Sequence, residues 1–384
     1  MSASTFAMLM RDQILPFWED EGLDRSTGLF HERFDQAGQP DRDCARRLMV
    51  QARQSYVYNS AHCDGTFKGR VDDAVRALDV AIAAFSDDRD LSRGLCFSIT
   101  PNGDRILDHR RDSYAHAFTL LALSAVIKST GEPRFYSHAE TLFDFVRETL
   151  WDPLGGGVFG EALRKQGPRS QNPNMHMFEA LLAMHEAWPE RDFLHHASLI
   201  ADLFDRQLFD RESGAIFEHY GDGWSSLPHG DPTLCYEPGH LFEWATLLAW
   251  FDRLAGTSHN DIISTLCNTG RAHGFDGELY IYDSITSSHQ PLARSKRLWP
   301  HCEYVRSLSM PLGFTSEGID NIDLAFDRLE RGFLTKPFPQ GWVDRLSPNN
   351  EHQIGAVPAS SLYHLYSALG AAIDHMNSQL PQQS

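Results

Sequence analysis

Six short segments, each led by a glycine, punctuate this chain at intervals of roughly sixty residues, a little longer than the usual periods of repeat proteins. They are Gly28-Leu-Phe-His-Glu32, Gly94-Leu-Cys-Phe-Ser98, Gly157-Val-Phe-Gly-Glu161, Gly214-Ala-Ile-Phe-Glu218, Gly277-Glu-Leu-Tyr-Ile281 and Gly341-Trp-Val-Asp-Arg345. Five of them follow an Asp within a few residues. Each reads as a turn into a strand too short to build a sheet of any size.

Between these markers lie pairs of segments whose apolar residues recur with helical spacing. The first member of each pair is the more apolar and opens after Pro or a polar cap. First members are expected near 43–60, 111–128, 172–187, 237–253, 298–313 and 357–376, and second members near 71–86, 136–150, 191–208, 258–273 and 318–333. A helix near 4–19 supplies the sixth partner. Twelve helices that alternate between buried and half-exposed close naturally into a ring of six parallel inner helices sheathed by six antiparallel outer ones. Closure removes the end repeats that an open solenoid must cap. The expected fold is therefore all-α, an (α/α)6 barrel with short β-hairpin segments in its loops, formed as a single domain over 1–384.

All inner helices of such a barrel start at the same end, so side chains near those starts share one cavity. The stretch Tyr236-Glu-Pro-Gly-His240-Leu-Phe-Glu243-Trp244 is the clearest of these starts. Pro238 suits a first turn, where its missing N–H costs nothing. His240 and Glu243 stand three apart and share a helix face. The positive field at a helix N-terminus disfavours protonation, which would leave His240 neutral. The phrasing recurs at Asn172-Pro-Asn-Met-His176-Met-Phe-Glu179. The other starts contribute Arg53, then Tyr114 and His116, then Trp299, His301 and Glu303, and finally His364.

Each of these residues also has a plain structural reading. Arg53 could form a buried ion pair with Glu243, Glu179 could brace a helix, and His116 and His301 could be hydrogen-bonded core residues. Tyr114 and Trp299 are read as pocket walls. His195 and His196 are expected near the surface.

Hydrophobic content of 42% with 22% charge is that of a globular protein with a large core. A formal net charge of -18 argues against nucleic acid and anionic membrane surfaces as partners. No run of eighteen apolar residues offers a membrane span, and the N-terminus lacks a secretory pattern, so a cytoplasmic location is expected. The six cysteines are far apart, with no Cys-x-x-Cys, and read as packed thiols. His-x-x-Glu alone is a weak metal signature, so neither a metal nor a cofactor is expected. Charge permits a monomer, and a homodimer is equally compatible.

Imidazoles, a few carboxylates, a guanidinium and aromatic walls suit an uncharged polyhydroxy ligand, which points to a sugar. Carboxylates look subordinate to histidines here, which favours proton transfer over hydrolysis. For an aldose, removal of the C2 proton gives a cis-enediolate, and protonation at C1 then gives a ketose.

Taken together, Gln51-Ala-Arg53-Gln54, Asn172-Pro-Asn-Met-His176, Glu237-Pro-Gly-His240-Leu-Phe-Glu243, Arg297-Leu-Trp299-Pro and Leu362-Tyr-His364 resemble the N-acylglucosamine 2-epimerase superfamily over nearly the whole chain. Within it the chain looks most like the D-mannose isomerases, which interconvert mannose and fructose without a metal. The resemblance implies His240 and His364 as catalytic pair, with Arg53, Tyr114, His176 and Glu243 around the sugar. Trp299 and Glu303 complete the expected binding set. His240 is assigned to the C2/C1 proton with Glu243 orienting it, and His364 to ring opening, although the two roles are interchangeable at this stage. Arg53 would stabilise enediolate charge. A sugar 2-epimerase, sharing the enediolate, is the alternative, followed by an (α/α)6 glycoside hydrolase.

Overall fold

The computed structural model describes residues 1–163, 166–228, 230–231, 233–310 and 321–378. Six helices form the inner ring: α3 (Leu48–Cys63), α5 (Ser113–Thr130), α7 (Gln171–Ala187), α9 (Pro238–Ala255), α11 (Leu298–Leu308) and α13 (Leu362–Ser378). Each packs on the next, and α13 packs back on α3, so the ring closes. Their outer partners are α4 (Val71–Phe85), α6 (Pro133–Phe145), α8 (Phe193–Leu203), α10 (Asn260–His273) and α12 (Ile322–Phe333). The N-terminal rod, α1 (Ala3–Leu9) and α2 (Leu15–Gly22) joined by a π-helical turn, covers α13 as the sixth. The (α/α)6 barrel is thus the observed fold.

Burial explains the two layers. Every residue of α5 from Ala115 to Ile127 is buried, as a helix surrounded on all sides requires. In α4 burial is confined to a stripe running Ala74, Leu78, Ala81, Ile82, Phe85, and the opposite face meets water. Stacking of Trp18 on Trp342, with centroids 4.6 Å apart, and contact of Phe6 with Phe326 at 4.8 Å fasten the first rod to the last repeat.

The glycine-led segments are the second arms of small hairpins that follow the outer helices. Leu29–Phe30 pairs with Leu23–Asp24, and Ala215–Ile216 with Phe209–Asp210. Single bridges link Ser86 to Leu95, Trp151 to Val158, Phe275 to Ile281 and Leu334 to Trp342. At Gly214 the backbone takes φ +65 and a Cβ would come within 2.8 Å of Thr269 Oγ1, so both conformation and space demand glycine.

A second set of pairings was not legible beforehand. Just before its inner helix, the chain forms a short extended segment that pairs with the following repeat: Arg46–Arg47 with Ser98–Ile99, Asp112 with Glu161, Arg169–Ser170 with His219–Tyr220, Cys235–Tyr236 with Ser284–Thr286, and Lys296–Arg297 with Arg345–Leu346. Val357–Pro358 pairs with Arg33–Phe34 and so closes the circle a second time. These ladders explain why α3 and α13 start five residues later than the apolar spacing predicts. The expectations at 311–313 and 318–320 lie outside the described residues. Three outer rods also contain π-helical turns, in the middle of the first at Met10–Ile14 and at the ends of two others at Val146–Leu150 and Phe204–Leu208, which the hydrophobic spacing does not mark. Among the described residues no helix is long and apolar enough to cross a membrane.

Candidate active site

The starts of the inner helices surround a cavity of about 370 Å³, within the range of small-molecule pockets. Arg53, Tyr114, His176, His240, Glu243, Trp299 and His364 all line it, so seven of the eight residues singled out in the sequence meet in one place. Glu303 does not line the wall. It is fully buried behind His364, whose Nδ1 lies 2.6 Å from Glu303 Oε1. A larger hollow of about 590 Å³ lies beside Arg93, His109 and Arg111, but collects none of those eight.

Trp299 is the shared wall of the two central histidines. Its ring centroid is 4.8 Å from that of His240 and 5.6 Å from that of His364. Each imidazole has its Nδ1 engaged from behind, which leaves Nε2 as the nitrogen available to a ligand. For His240 the partner is Glu218, with Oε1 at 2.8 Å, and not Glu243 as the sequence led us to expect. Gln171 Nε2 lies 3.0 Å both from that nitrogen and from Glu218 Oε2, while Gln171 Oε1 accepts from Trp244 Nε1 at 2.7 Å. Glu218 ends the hairpin led by Gly214, and reaches His240 because that loop folds over the start of α9.

The electrostatics of the two histidines differ. Burial alone would strip His240 of its proton, but Glu218, with Glu237 Oε2 at 3.9 Å, outweighs it and raises the pKa above the ordinary 6.5. The two carboxylates thus work against the neutral His240 that its place at a helix start suggested. For His364 burial prevails, helped by Arg53 and only partly offset by Glu303, and the pKa falls below 6.5. His176 is pushed down to about 4 by burial despite Glu179 Oε2 at 3.2 Å, so it is neutral at physiological pH.

Glu243 lies elsewhere in the network. Both its oxygens are buried without a hydrogen-bond partner, and burial together with Glu303 and Glu179 pushes its pKa well above the carboxylate range. Burial thus favours its neutral carboxylic acid form. Nor does it pair with Arg53. That guanidinium donates to the Ser360 carbonyl at 3.1 Å and to the Tyr114 hydroxyl at 2.7 Å, and rests on the Phe118 ring at 4.0 Å. Its Nε is buried without a partner, and the residue lines the cavity.

His116 and His301 are structural. His116 and His301 occupy matching places in α5 and α11, each accepting a backbone N–H of a glycine-led hairpin at 3.0 Å, from Leu95 and Ile281 respectively. Their Nδ1 atoms lie 2.7 and 2.8 Å from the carbonyls of Asp112 and Arg297. Glu179 braces as expected, accepting from the Tyr363 hydroxyl at 2.5 and 2.6 Å. His195 is exposed and His196 partly so.

Glu237, Arg297, Asp344 and Ser361 also reach the cavity, and sequence spacing marked none of them as a ligand contact. Arg297 is held by Glu237 at 2.6 Å and Asp283 at 2.7 Å, and Ser361 Oγ donates to Asp344 at 2.9 Å. Donor atoms of His176, Glu179 and Glu243, and of Glu243, Glu303 and His364, gather within 4.8 Å, a spacing a divalent ion could also use. The closest atoms of those sets are already bonded to each other as imidazole–carboxylate pairs.

The sequence model of the N-acylglucosamine 2-epimerase (GlcNAc 2-epimerase) family matches residues 28–368. The chain belongs to that family. A mannose-6-phosphate isomerase of Rhizobium meliloti (strain 1021) is 28% identical over 390 residues, covering 96% of both chains. A D-mannose isomerase of Pseudomonas cannabina pv. alisalensis is 25% identical over 346 residues, covering 83% of this chain and 81% of its own. The solved structure of cellobiose 2-epimerase from Bacillus thermoamylovorans B4167 superposes with a TM-score of 0.84 at 14% identity, covering 97% and 99% of the two chains. As a member of the N-acylglucosamine 2-epimerase family, this protein is an enzyme of the sugar epimerase and isomerase class.

Proposed function

We propose that the protein interconverts D-mannose and D-fructose through a cis-enediolate, the whole barrel serving as one catalytic unit. One observation carries the reading: His240 and His364, each backed by a carboxylate on Nδ1, meet at a single cavity of hexose scale with the Arg53 cation beside them. Of the three carboxyls on the wall, Glu237 is tied to Arg297 and Asp344 to Ser361, and burial holds Glu243 towards its neutral form, so they are poorly disposed for the acid–base pair that glycoside hydrolysis needs.

The environments divide the labour. His240, whose protonated form Glu218 favours, donates a proton to O5 as the C1–O5 bond breaks and takes up the O1 hydroxyl proton as C1 becomes a carbonyl. His364, neutral in the resting site, removes the C2 proton of the open aldose and returns it to C1. Of the two assignments the sequence leaves interchangeable, this one gives ring opening to His240 and the C2/C1 proton to His364. Arg53 faces the oxygens of the enediolate, where a fixed cation contributes a few kcal/mol, on the order of an oxyanion-hole donor. Protonated Glu243 and neutral His176 hydrogen-bond to sugar hydroxyls.

An unphosphorylated sugar fits the mouth best. Its arginines are already neutralised, Arg297 by Glu237 and Asp283, and Arg345 by Asp283 at 3.6 Å. A phosphate would meet Glu237 and Asp344 instead. The second reading, 2-epimerisation, is favoured by the position of Trp299 between two imidazoles, which allows a proton to be delivered from either. Products from mannose distinguish them: fructose as the main product supports isomerisation, and glucose supports epimerisation.

A further inference from the structure

Behind the cavity, the side chain of Arg306 on α11 links two halves of the site that are far apart in sequence. Its Nη1 lies 3.3 Å from Glu303 Oε2 and 3.6 Å from Glu179 Oε1. Glu303 is the partner of His364, and Glu179 is the partner of His176 and of the Tyr363 hydroxyl. Glu179 and Glu303 are buried, with side chains 2% and 0% exposed, and Arg306 is 17% exposed. Two buried carboxylates thus share one guanidinium. Neither carboxylate touches the cavity wall, so their influence on a ligand passes through the imidazoles.

We propose that Arg306 is a positioning residue for both His176 and His364: by holding Glu179 and Glu303 at one guanidinium, it fixes the orientation and tautomer of the two imidazoles together. The catalytic part of this statement rests on the isomerase reading above. The placement part does not.

The groups facing His364 are Glu303 and Arg306 on α11, Arg53 on α3, His176 and Glu179 on α7, Glu243 on α9, and Tyr363 on its own helix. With Arg306 present, the charge of Glu303 is divided between a guanidinium and an imidazole. Without it, that charge falls on His364 alone, which then keeps its proton to higher pH. A base that must be neutral to act is consequently switched off over part of its working range.

The test follows the His364 and His176 imidazole resonances by NMR titration in the full-length protein, and in parallel the pH dependence of kcat/KM on mannose, for wild type, Arg306→Met, Arg306→Lys and Glu179→Gln. Arg306→Met should raise the His364 pKa and the acid limb of the profile by about one pH unit or more. It should lower kcat about threefold near neutrality, and more at lower pH, while KM changes little. Arg306→Lys should restore most of the limb. Glu179→Gln leaves the guanidinium to Glu303 alone and should move the His364 titration the opposite way, an arm that does not depend on Arg306→Met folding. Equal loss at all pH values with an unmoved His364 titration in these variants overturns the proposal. Wild-type protein that titrates as described but leaves mannose untouched overturns the isomerase reading and leaves the role of Arg306 in place.

Discussion

Glu218 Oε1 stands 2.8 Å from His240 Nδ1, although Glu218 follows a hairpin and His240 lies in the first turn of α9, with a short strand and a loop between them. In the proposed mechanism this pairing makes His240 the acid and leaves His364 as the base. It also makes Glu218 the most informative residue to change. Glu218→Gln preserves shape and removes the charge, so His240 should lose its proton at lower pH. We expect kcat on mannose to fall about 10²-fold at neutral pH, at the lower end of what positioned acid–base groups contribute. Steady-state kinetics checks this, with thermal unfolding showing that the fold is retained.

The opposed shifts of the two histidines predict a bell-shaped profile. The active form has His364 neutral and His240 protonated. Activity should therefore fall as pH drops through the lowered pKa of His364, below 6.5, and again as pH rises through the raised pKa of His240, above 6.5. Glu218→Gln should pull in the alkaline limb alone. A kcat/KM profile from acid to alkaline pH reads both limbs.

Glu243 offers a contrast between isosteric and truncating changes. Because its carboxyl is held protonated, Glu243→Gln retains a hydrogen-bond donor of the same size and should keep activity within about fivefold of wild type. Glu243→Ala removes the donor and opens a void, and should cost about 1–3 kcal/mol in kcat/KM. Kinetics of the two variants side by side decides the protonation state. If glutamine were as damaging as alanine, Glu243 would have to act as an anion.

Gly239 immediately precedes His240, and a Cβ there would lie 2.7 Å from the Trp299 ring and 2.8 Å from Pro300 Cβ. Gly239→Ala must displace either the indole or the start of α9, and both shape the cavity. We expect a stability loss of about 1–3 kcal/mol, as for overpacking, together with a marked loss of activity. Denaturant unfolding and mannose turnover measure the two effects separately.

Two carboxylate–imidazole sets have spacing that an ion could exploit, so chelation is informative. Direct hydrogen bonds already engage those imidazoles, and proton transfer by His240 and His364 requires no Lewis acid. Turnover should survive exhaustive dialysis against a chelator. Loss of activity that returns with one divalent ion would move Glu243, Glu303 and His364 from a proton relay to a ligand set.

Much of this was legible in the amino-acid sequence, for reasons that also explain the misses. Helices announce themselves through local apolar spacing, and the closed ring follows from six equivalent pairs. Buried polar residues at helix starts, such as Arg53, His176 and His364, stand out because nothing in a plain core calls for them. Glu218 escaped notice because its role depends on a long-range approach, although a repeated signal exists: Glu32, Glu161 and Glu218 each stand four residues after a leading glycine. The ladders before each inner helix escaped because two-residue pairings carry no periodicity. Glu243 was assigned to His240 on helical spacing alone, yet that carboxyl points to the neighbours of His176 and His364. Its place was decided by packing across the ring.

The central claim is that His240 and His364 act on one open-chain hexose. The most direct measurement is NMR of D-mannose incubated with the protein in deuterated water, with His364→Asn as control. The account predicts fructose as the main new sugar and its disappearance in the variant. Glucose as the main product, or undiminished conversion by His364→Asn, would contradict it.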